Sequence, residues 1–313
     1  MSLAIGIDIG GTKVLGGLVA DDGTVVASHR VATPATDVSA IRAVIVDLVR
    51  RLSGNHSVAA VGVGAAGWID ASRSTVQFSP NLAWRHEPLR ASLVQEIDVP
   101  VVVENDANVA MWAEYRYGAA RSAENTALFT VGTGIGGGLV IDGRLVRGAH
   151  GVAAEFGHVQ LVPDGIECGC GRRGCLEQYA SGSALVREAK RLARSDSKSA
   201  TSLLKMADGN PDEIDGPMVT QAARDGDHAS LAAFAHIGTS LGSALTDLVQ
   251  LADPEIIVIG GGVINAGELL LEPIRKQYVA VMGARGSLPF AKIKAAQMGA
   301  NAGIVGAADL ARR

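Results

Sequence analysis

Glu155-Phe-Gly-His158 is followed, after a loop-like segment, by Cys168-Gly-Cys170-Gly-Arg-Arg-Gly-Cys175-Leu-Glu177, and this stretch organises the chain. It holds all three cysteines of the 313-residue sequence. Three thiols and one imidazole complete a closed tetrahedral zinc site, and the glycines let short backbone segments direct several sulfur atoms at one point. The stretch therefore predicts a zinc site formed by His158, Cys168, Cys170 and Cys175. Three reduced buried cysteines, or one disulfide with a thiol left over, are the alternative.

Two glutamates lie close in sequence to these proposed ligands. Glu155 precedes His158 by three residues, and Glu177 follows Cys175 by two. A bound metal would therefore set the direction in which both carboxylates point. Because four protein ligands leave no open coordination position, we expect the zinc to be structural rather than a Lewis acid.

The composition is that of an ordinary soluble globular protein, with 48% hydrophobic, 19% charged and 4% aromatic residues. A chain of this length suits two domains of roughly 100 to 200 residues each. The net charge of −4 offers no general attraction to nucleic acid or to an acidic membrane surface. No apolar run reaches the roughly 18 residues that span a bilayer, and the N-terminus lacks a basic leader. We therefore expect a cytoplasmic protein with reduced cysteines that binds neither nucleic acid nor membrane.

The order of predicted strands and helices repeats along the chain. A strand over residues 3–9 runs into a glycine-rich turn and a second strand, and the first hundred residues read β-β-β-α-β-α-β. A similar opening begins with a strand over residues 125–131. This alternation predicts two α/β lobes with mixed sheets. The polar segment 195–217, rich in Ser, Asp, Gly and Pro, is predicted to be a mobile surface loop.

We place the boundary between the lobes near residues 109–118. The predicted domains are a small N-terminal α/β lobe, residues 1–112, and a larger C-terminal α/β lobe, residues 113–299, which carries the zinc loop. The C-terminal helix, residues 300–313, is expected to pack back on the first lobe.

Two glycine-rich segments directly follow predicted strands, where unobstructed backbone N–H groups can bind phosphate oxygens. The segments are Asp8-Ile-Gly10-Gly11-Thr12-Lys13 and Gly132-Thr133-Gly134-Ile-Gly136-Gly-Gly138. Neither matches the Walker or dinucleotide-binding pattern, because a second strand follows each. One such loop per lobe suits a nucleotide held between the lobes, although either segment alone is equally explained by a tight turn. Asp8 is predicted to lie on the magnesium side of the phosphates.

A third glycine run, Gly260-Gly261-Gly262, follows the predicted strand 256–259. Bare backbone there would allow an adenine and a ribose to pack closely. A turn that leads into a helix is an equally good interpretation of this run alone.

Glu104-Asn105-Asp106-Ala-Asn108 follows the last predicted strand of the first lobe. Asp106 could simply cap the next helix. Alternatively, its carboxylate could accept the proton of a substrate hydroxyl that attacks a γ-phosphate, with Asn105 orienting the neighbouring hydroxyl. Glu155, His158 and Glu177 extend this polar set, which suits a polyol such as a sugar better than a second phosphate, since a phosphate would call for Arg and Lys.

These motifs together resemble the ROK family (repressors, open reading frames, sugar kinases), most closely its bacterial ATP-dependent glucokinases. The resemblance covers essentially the whole chain, and the cysteine motif is specific to the family. It implies an α/β, two-lobed actin/hexokinase-like fold, a duplicated ribonuclease H-like fold with an interlobe cleft. It also implies ATP-dependent phosphorylation of glucose to glucose 6-phosphate, and a homodimer or homotetramer.

The resemblance assigns roles residue by residue. Asp106 is implied as the general base, and zinc is implied on His158 and the three cysteines. The implied sugar-binding residues are Gly67, Asn81, Asn105, Asp106, Glu155, His158 and Glu177. The implied residues for ATP with Mg²⁺ are Asp8, Gly10, Gly11, Thr12, Lys13, Gly132, Thr133, Gly134, Gly136, Gly261 and Gly262. A turn explains Gly67 and Asn81 almost as well, and Ala66 stands where many members have Pro.

Other functions remain open at this point. The sugar could be mannose, fructose or an N-acetylhexosamine, and polyphosphate could replace ATP as donor. The family's sugar-responsive repressors carry a helix-turn-helix before the first phosphate strand, and we expect none here because that strand starts at Leu3. A sugar-binding regulator or an actin-like ATPase is therefore less favoured than a kinase. We also expect loss of zinc to impair sugar recognition before nucleotide binding, because the glycine loops lie elsewhere in sequence.

Overall fold

The computed structural model describes residues 2–284, 286 and 290–313, and within these ranges the chain forms thirteen β-strands and ten α-helices. The strands are β1 (Leu3–Ile9), β2 (Lys13–Val19), β3 (Val25–Ala32), β4 (Val58–Ala65), β5 (Trp68–Ile69), β6 (Val76–Phe78), β7 (Arg85–Glu87), β8 (Val101–Asn105), β9 (Thr126–Val131), β10 (Ile135–Ile141), β11 (Arg144–Leu145), β12 (Ile256–Gly260) and β13 (Lys292–Ala295). The helices are α1 (Val38–Ser53), α2 (Leu89–Leu93), α3 (Asp106–Tyr117), α4 (Glu177–Ala180), α5 (Gly182–Ser195), α6 (Thr201–Met206), α7 (Gly216–Arg224), α8 (His228–Ala252), α9 (Glu268–Gly283) and α10 (Ala302–Ala311).

The first sheet has the strand order β3-β2-β1-β4-β8. β1 pairs antiparallel with β2 and parallel with β4, and β4 pairs parallel with β8. In this register Asp8 lies opposite Gly64, and Gly64 lies opposite Glu104. The carboxyl ends of β1, β4 and β8 therefore meet at one edge of the sheet, which is where α/β proteins place their ligands.

Helix α10 packs directly on this sheet. A Cβ atom on Gly6 or on Gly62 would overlap the backbone of α10, at Ile304 and Ala307 respectively. The side of α10 that faces α3 is fixed by Asp309, whose carboxylate accepts a hydrogen bond from Trp112 Nε1 at 2.8 Å. Glycine in the strands thus lets the C-terminal helix lie unusually close to β1 and β4.

A second five-stranded sheet has the order β11-β10-β9-β12-β13, and β5, β6 and β7 form a small antiparallel sheet. Every residue of β12 is buried, as expected for a strand covered on both faces. The sequence does not predict the strands of the small sheet, because they are only two or three residues long.

The chain divides into two compact units. Unit 1 consists of Met1–Leu128, Gly137–Ala154 and Ala296–Arg313, and unit 2 consists of Phe129–Gly136 and Glu155–Ala295. The sequence-based division at residue 112 runs through α3, whereas α3 packs against α10 and lies wholly in unit 1. The domain boundaries drawn from the sequence stay a prediction, since a compact unit and a domain need not coincide.

The segment predicted as a mobile loop, residues 195–217, contains α6 and a short 3₁₀ turn at Pro211–Glu213. The N-terminus of α6 is capped from a distance, because Asp227 Oδ2 accepts hydrogen bonds from Ser202 N at 3.1 Å and Leu203 N at 3.2 Å. A cap that lies 25 residues away leaves no local sequence signal. The segment therefore contains regular structure that the sequence did not indicate, while its mobility stays a prediction.

Among the described residues, no helix combines the length and the apolar character that crossing a membrane requires.

Candidate active site

Two carboxyl groups lie at the strand ends of unit 1. Asp8 is the penultimate residue of β1, and Asp106 is the first residue of α3, directly after β8. Burial raises the pKa of Asp8 to about 6, against a lowering by the nearby Lys13 charge. Burial, and then the neighbouring Asp8 carboxylate, raise the pKa of Asp106 to about 7. Asp106 is therefore a stronger base than an ordinary aspartate and can exchange a proton near neutral pH.

Asn105 links Asp106 to a second predicted sugar-binding segment. Its Oδ1 atom caps α3 by accepting a hydrogen bond from Asn108 N at 3.0 Å, and its Nδ2 atom donates to Gly67 O at 3.0 Å. The capping residue of α3 is thus Asn105, which leaves the Asp106 side chain free of that role. Gly67 has a φ of 138°, and a Cβ there would overlap the backbone at Phe78, so this position requires glycine.

Asn81 approaches the first glycine loop. A Cβ on Gly11 would lie 3.2 Å from Asn81 Cβ. The loop itself is held by its backbone, since Gly10 N donates to Lys13 O at 3.0 Å and Thr33 Oγ1 donates to Gly10 O at 2.8 Å. Ala66, at the position where Pro is expected, donates its N–H to Ile9 O at 3.3 Å, a bond that Pro could not make.

The four predicted zinc ligands converge in unit 2. One ligand atom from each of His158, Cys168, Cys170 and Cys175 lies within 4.8 Å of every other. Cys170 Sγ and Cys175 Sγ are 3.7 Å apart, and Cys168 Sγ lies 3.7 Å from His158 Nδ1. Zn–S bonds of about 2.3 Å in a regular tetrahedron place two sulfurs about 3.8 Å apart. The donor set and its spacing thus fit a closed, structural zinc ion, and all three cysteines are free rather than disulfide-bonded.

Zinc binding at this site must displace thiol protons. Burial raises the pKa of the metal-free Cys168 thiol to about 12, and the hydrogen bond to Glu177 contributes to this rise. Metal affinity should therefore fall as the pH falls. His158 Nδ1 faces Cys168, so this ring nitrogen is the one that would bind zinc.

Glu177 connects the zinc cluster to the second glycine loop. Its Oε1 atom lies 3.2 Å from Cys168 Sγ, and its Oε2 atom accepts a hydrogen bond from Ile135 N at 3.3 Å. A Cβ on Gly134 would overlap Glu177 Oε2, so the loop passes directly over this carboxylate. The expectation that zinc loss would affect nucleotide binding much less than sugar recognition rested on the separation of the two segments in sequence, and in the structure Glu177 joins the cysteine cluster to the glycine loop.

Glu155 lies at the start of the 3₁₀ turn Phe156–His158, and its carbonyl oxygen accepts a hydrogen bond from His158 N at 3.0 Å. The turn is packed by Phe156, whose ring stacks on Phe129 with centroids 4.7 Å apart. Glu155 and His158 are thus fixed relative to each other by their own backbone.

A cavity of about 1030 Å³ lies in unit 2 beside the second glycine loop. Gly132, Thr133 and Gly262, all predicted for nucleotide binding, line it. The loop is tied to α5, because Gly182 N donates to Gly132 O at 2.7 Å and Ser183 Oγ donates to Thr133 O at 2.8 Å. Further lining residues that the sequence did not indicate are Ser183, Val186, Lys190, Ile214, Gly216, Gln221 and Asn265. Ile214 and Gly216 belong to the segment predicted as a mobile loop, so part of that segment forms a wall of the cavity.

The family assignment follows from the whole sequence. The sequence profile of the ROK family matches residues 4–313. The chain belongs to the ROK family. The resemblance inferred from the motifs is therefore confirmed.

Related proteins cover the full length of this ROK chain. It is 46% identical over 312 residues to a glucokinase of Streptomyces coelicolor, covering 100% of this chain and 98% of that protein. A ROK family glucokinase of Streptomyces griseus, solved in complex with glucose and AMPPNP, is 48% identical, with a TM-score of 0.90 and 99% of each chain covered. A ROK hexokinase of Thermus thermophilus is 32% identical, with a TM-score of 0.80, covering 99% of this chain and 97% of that one. The predicted actin/hexokinase-like α/β fold is confirmed by these structural matches.

Proposed function

We propose that this ROK protein is an ATP-dependent glucokinase that forms glucose 6-phosphate and ADP. Similarity to glucokinases over the full chain supports the choice of sugar and donor. The observation that carries the reaction is Asp106, whose pKa is raised to about 7 by burial and by the neighbouring Asp8. A base of this strength can take the proton of a sugar hydroxyl at neutral pH without needing a histidine.

In this reaction the 6-hydroxyl oxygen attacks the γ-phosphorus while its proton passes to Asp106. The bond between the γ-phosphorus and the β–γ bridging oxygen breaks, and ADP leaves. Magnesium, when bound with ATP, neutralises phosphate charge, and Asp8 is the carboxylate that would hold it through water.

We assign the remaining predicted residues to binding. Gly67, Asn81, Asn105, Glu155, His158 and Glu177 would orient the sugar hydroxyls. The two glycine loops and Gly261 and Gly262 would bind ATP. The zinc ion would fix the direction of His158 and Glu177. On family resemblance and composition alone, we also propose a cytoplasmic location and a homodimeric or homotetrameric state.

The test is ADP formation by the purified protein with Mg-ATP and a panel of sugars: glucose, mannose, fructose and N-acetylglucosamine. We expect glucose to give the highest kcat/KM, by about tenfold or more, because a misplaced hydroxyl leaves a buried polar group unpaired. Polyphosphate in place of ATP serves as the donor control. ADP formation that does not depend on any sugar would contradict the kinase assignment. A higher kcat/KM for another hexose would make that hexose the preferred substrate instead of glucose.

Asp106→Asn is the matched variant. The amide keeps one acceptor oxygen but cannot take a proton, so kcat should fall by about 10² to 10⁴ while glucose binding weakens only modestly. Turnover above about a tenth of the wild-type value would exclude Asp106 as the base.

A further inference from the structure

Glu104 is a carboxylate buried directly beside the proposed catalytic residues. It is the last residue but one of β8, only 3% exposed, and it precedes Asn105 and Asp106 in the chain. Charged groups at this depth are rare unless they are paired and hydrogen-bonded. No local sequence pattern assigns Glu104 a role of its own, because its arginine partners lie far away along the chain.

One carboxylate oxygen of Glu104 holds the start of α3. Glu104 Oε1 accepts hydrogen bonds from Asn105 N and from Asn108 Nδ2, each at 3.1 Å. Asn108 is itself buried, and its backbone N–H donates to the Asn105 side chain. Glu104 therefore fixes both ends of the short segment that contains Asn105 and Asp106.

The other oxygen, Glu104 Oε2, forms ion pairs with two guanidinium groups. Arg147 Nε lies 2.6 Å from Glu104 Oε2, and Arg73 Nε lies 3.6 Å from it. Arg147 follows β11, and Arg73 lies in the turn between β5 and β6, where its carbonyl oxygen accepts a hydrogen bond from Val103 N at 3.1 Å. Burial and the nearby Arg147 charge lower the pKa of Arg73, and Glu104 opposes this effect. The carboxylate thus joins three segments of unit 1 at the junction of β8 and α3.

We propose that Glu104 is a positioning residue for phosphoryl transfer, which orients Asn105 and Asp106 through its hydrogen bonds to Asn105 N and to the Asn108 side chain. The proposal rests on the proposed sugar kinase function. Arg147 and Arg73 hold Glu104 in place and compensate its charge. The chemical step needs Asp106 within hydrogen-bond reach of one hydroxyl, and a shift of about 1 Å can cost about a hundredfold in rate.

An ion pair that only stabilises the fold would behave differently. Replacing both members of a buried pair with apolar residues of similar size is often harmless, whereas removing one member leaves an uncompensated charge. Two double variants therefore separate the roles. Glu104→Met/Arg147→Met removes the closer charge pair and both acceptor oxygens, whereas Glu104→Gln/Arg147→Met removes the same pair but keeps an acceptor oxygen for Asn105 N. Arg73 loses its carboxylate partner in both double variants, so this loss is matched between them.

Both double variants should unfold at similar temperatures, above that of the single variant Glu104→Met. We expect Glu104→Gln/Arg147→Met to keep kcat/KM for glucose within about threefold of Arg147→Met, and Glu104→Met/Arg147→Met to fall about tenfold or more below it. KM for ATP should be nearly equal in the two. Equal kcat/KM values for glucose in two folded double variants would overturn the proposal.

A second readout does not depend on catalysis. The backbone amide of Asn105, followed by NMR hydrogen exchange, should exchange faster in Glu104→Met/Arg147→Met than in Glu104→Gln/Arg147→Met. Equal exchange would refute the positioning role whatever reaction the protein catalyses. Faster exchange in a protein whose wild type phosphorylates no sugar would leave the positioning geometry standing and contradict the proposed function alone.

Discussion

Asp106 experiences opposing effects at the first position of α3. Burial and Asp8 raise its pKa, while the Ala107 N–H, 2.9 Å from Asp106 Oδ1, favours the carboxylate. The net pKa of about 7, against an ordinary value of 3.8, means that only the folded protein keeps this proton between those two pH values. The contribution of this group to folding stability is therefore full below about pH 4 and is lost as the pH rises through about 7.

We expect Asp106→Asn to melt at a higher temperature than the wild type at pH 8, by about 2 to 4 °C or more, because the amide avoids a buried charge beside Asp8. At about pH 4 and below, the wild-type carboxyl is protonated in the folded state and largely protonated in the unfolded state, so the difference from the amide should nearly vanish. Differential scanning calorimetry without nucleotide or magnesium measures both values. Asp247→Asn, at an exposed position of α8, is the control with the same chemical change. An equal offset in melting temperature at both pH values would show that burial does not raise the Asp106 pKa.

Residues with rare chemistry and close spacing could be predicted from the sequence, and residues defined by distant partners could not. The three cysteines and His158 fall within one stretch, so their convergence was foreseeable. Glu104 stands inside a recognised motif, but its ion-pair partner Arg147 lies 43 residues away. Only the folded chain shows that the first residue of the motif is a buried carboxylate directly before the proposed catalytic residue Asp106 and its neighbour Asn105.

At the scale of elements, α10 approaches the start of the first glycine-rich segment closely, and Gly303 makes this approach possible. A Cβ on Gly303, in the first turn of α10, would lie 2.5 Å from Asp8 Cγ. Gly303→Ala should therefore displace the Asp8 carboxylate and lower kcat/KM for Mg-ATP by about tenfold or more. The fold should survive, since alanine favours a helix over glycine by about 1 kcal/mol.

Gly283→Ala is the matched control for this prediction. Gly283 ends α9, and among the residues that the structure describes an added Cβ there meets nothing within 4 Å. The two variants should have similar melting temperatures, but only Gly303→Ala should have a lower kcat/KM for Mg-ATP. Wild-type kinetics in Gly303→Ala would show that Asp8 tolerates displacement and would argue against its role beside the phosphates.

Elements with local signals were predicted well, and elements that depend on distant contacts were not. Helix α1 has apolar residues at helical spacing and an Asp37 cap, and at Val38–Ser53 it is the first helix of the predicted order β-β-β-α-β-α-β. Helix α6 lacks a cap of its own and depends on Asp227, whose other oxygen caps α8 through Ser230 N at 2.9 Å. One buried aspartate thus starts two helices, which a scan of local sequence cannot detect.

At the scale of the whole molecule, each unit holds its own part of the proposed machinery. Unit 1 contains Asp8, Asn105 and Asp106, and unit 2 contains the zinc cluster, the second glycine loop and the cavity beside it. The zinc cluster touches that loop through Glu177. Loss of zinc should therefore change both the second glycine loop and the residues of unit 2 proposed to bind sugar.

Cys175→Ser is expected to lose zinc, because a buried ligand is removed from a four-ligand site. Elemental analysis should show the loss, and hydrogen exchange should accelerate over residues 156–177 and over the loop 132–136. The strands β1, β2 and β4 of unit 1 should exchange as in the wild type. KM should rise for glucose most strongly, and for ATP to a smaller but measurable extent, because Glu177 contacts Ile135 N.

Gly169→Ala provides the control within the same loop. Within the described part of the chain, an added Cβ at Gly169 meets nothing within 4 Å, so this variant should keep its zinc and its exchange pattern. If Cys175→Ser retained a full complement of zinc, the four-ligand site would be wrong. If it lost zinc and exchange rose equally in both units, the ion would stabilise the molecule as a whole instead of bracing one loop. Faster exchange confined to residues 156–177, with KM for ATP unchanged, would mean that the contact between Glu177 and the glycine loop does not pass the effect of zinc loss to that loop.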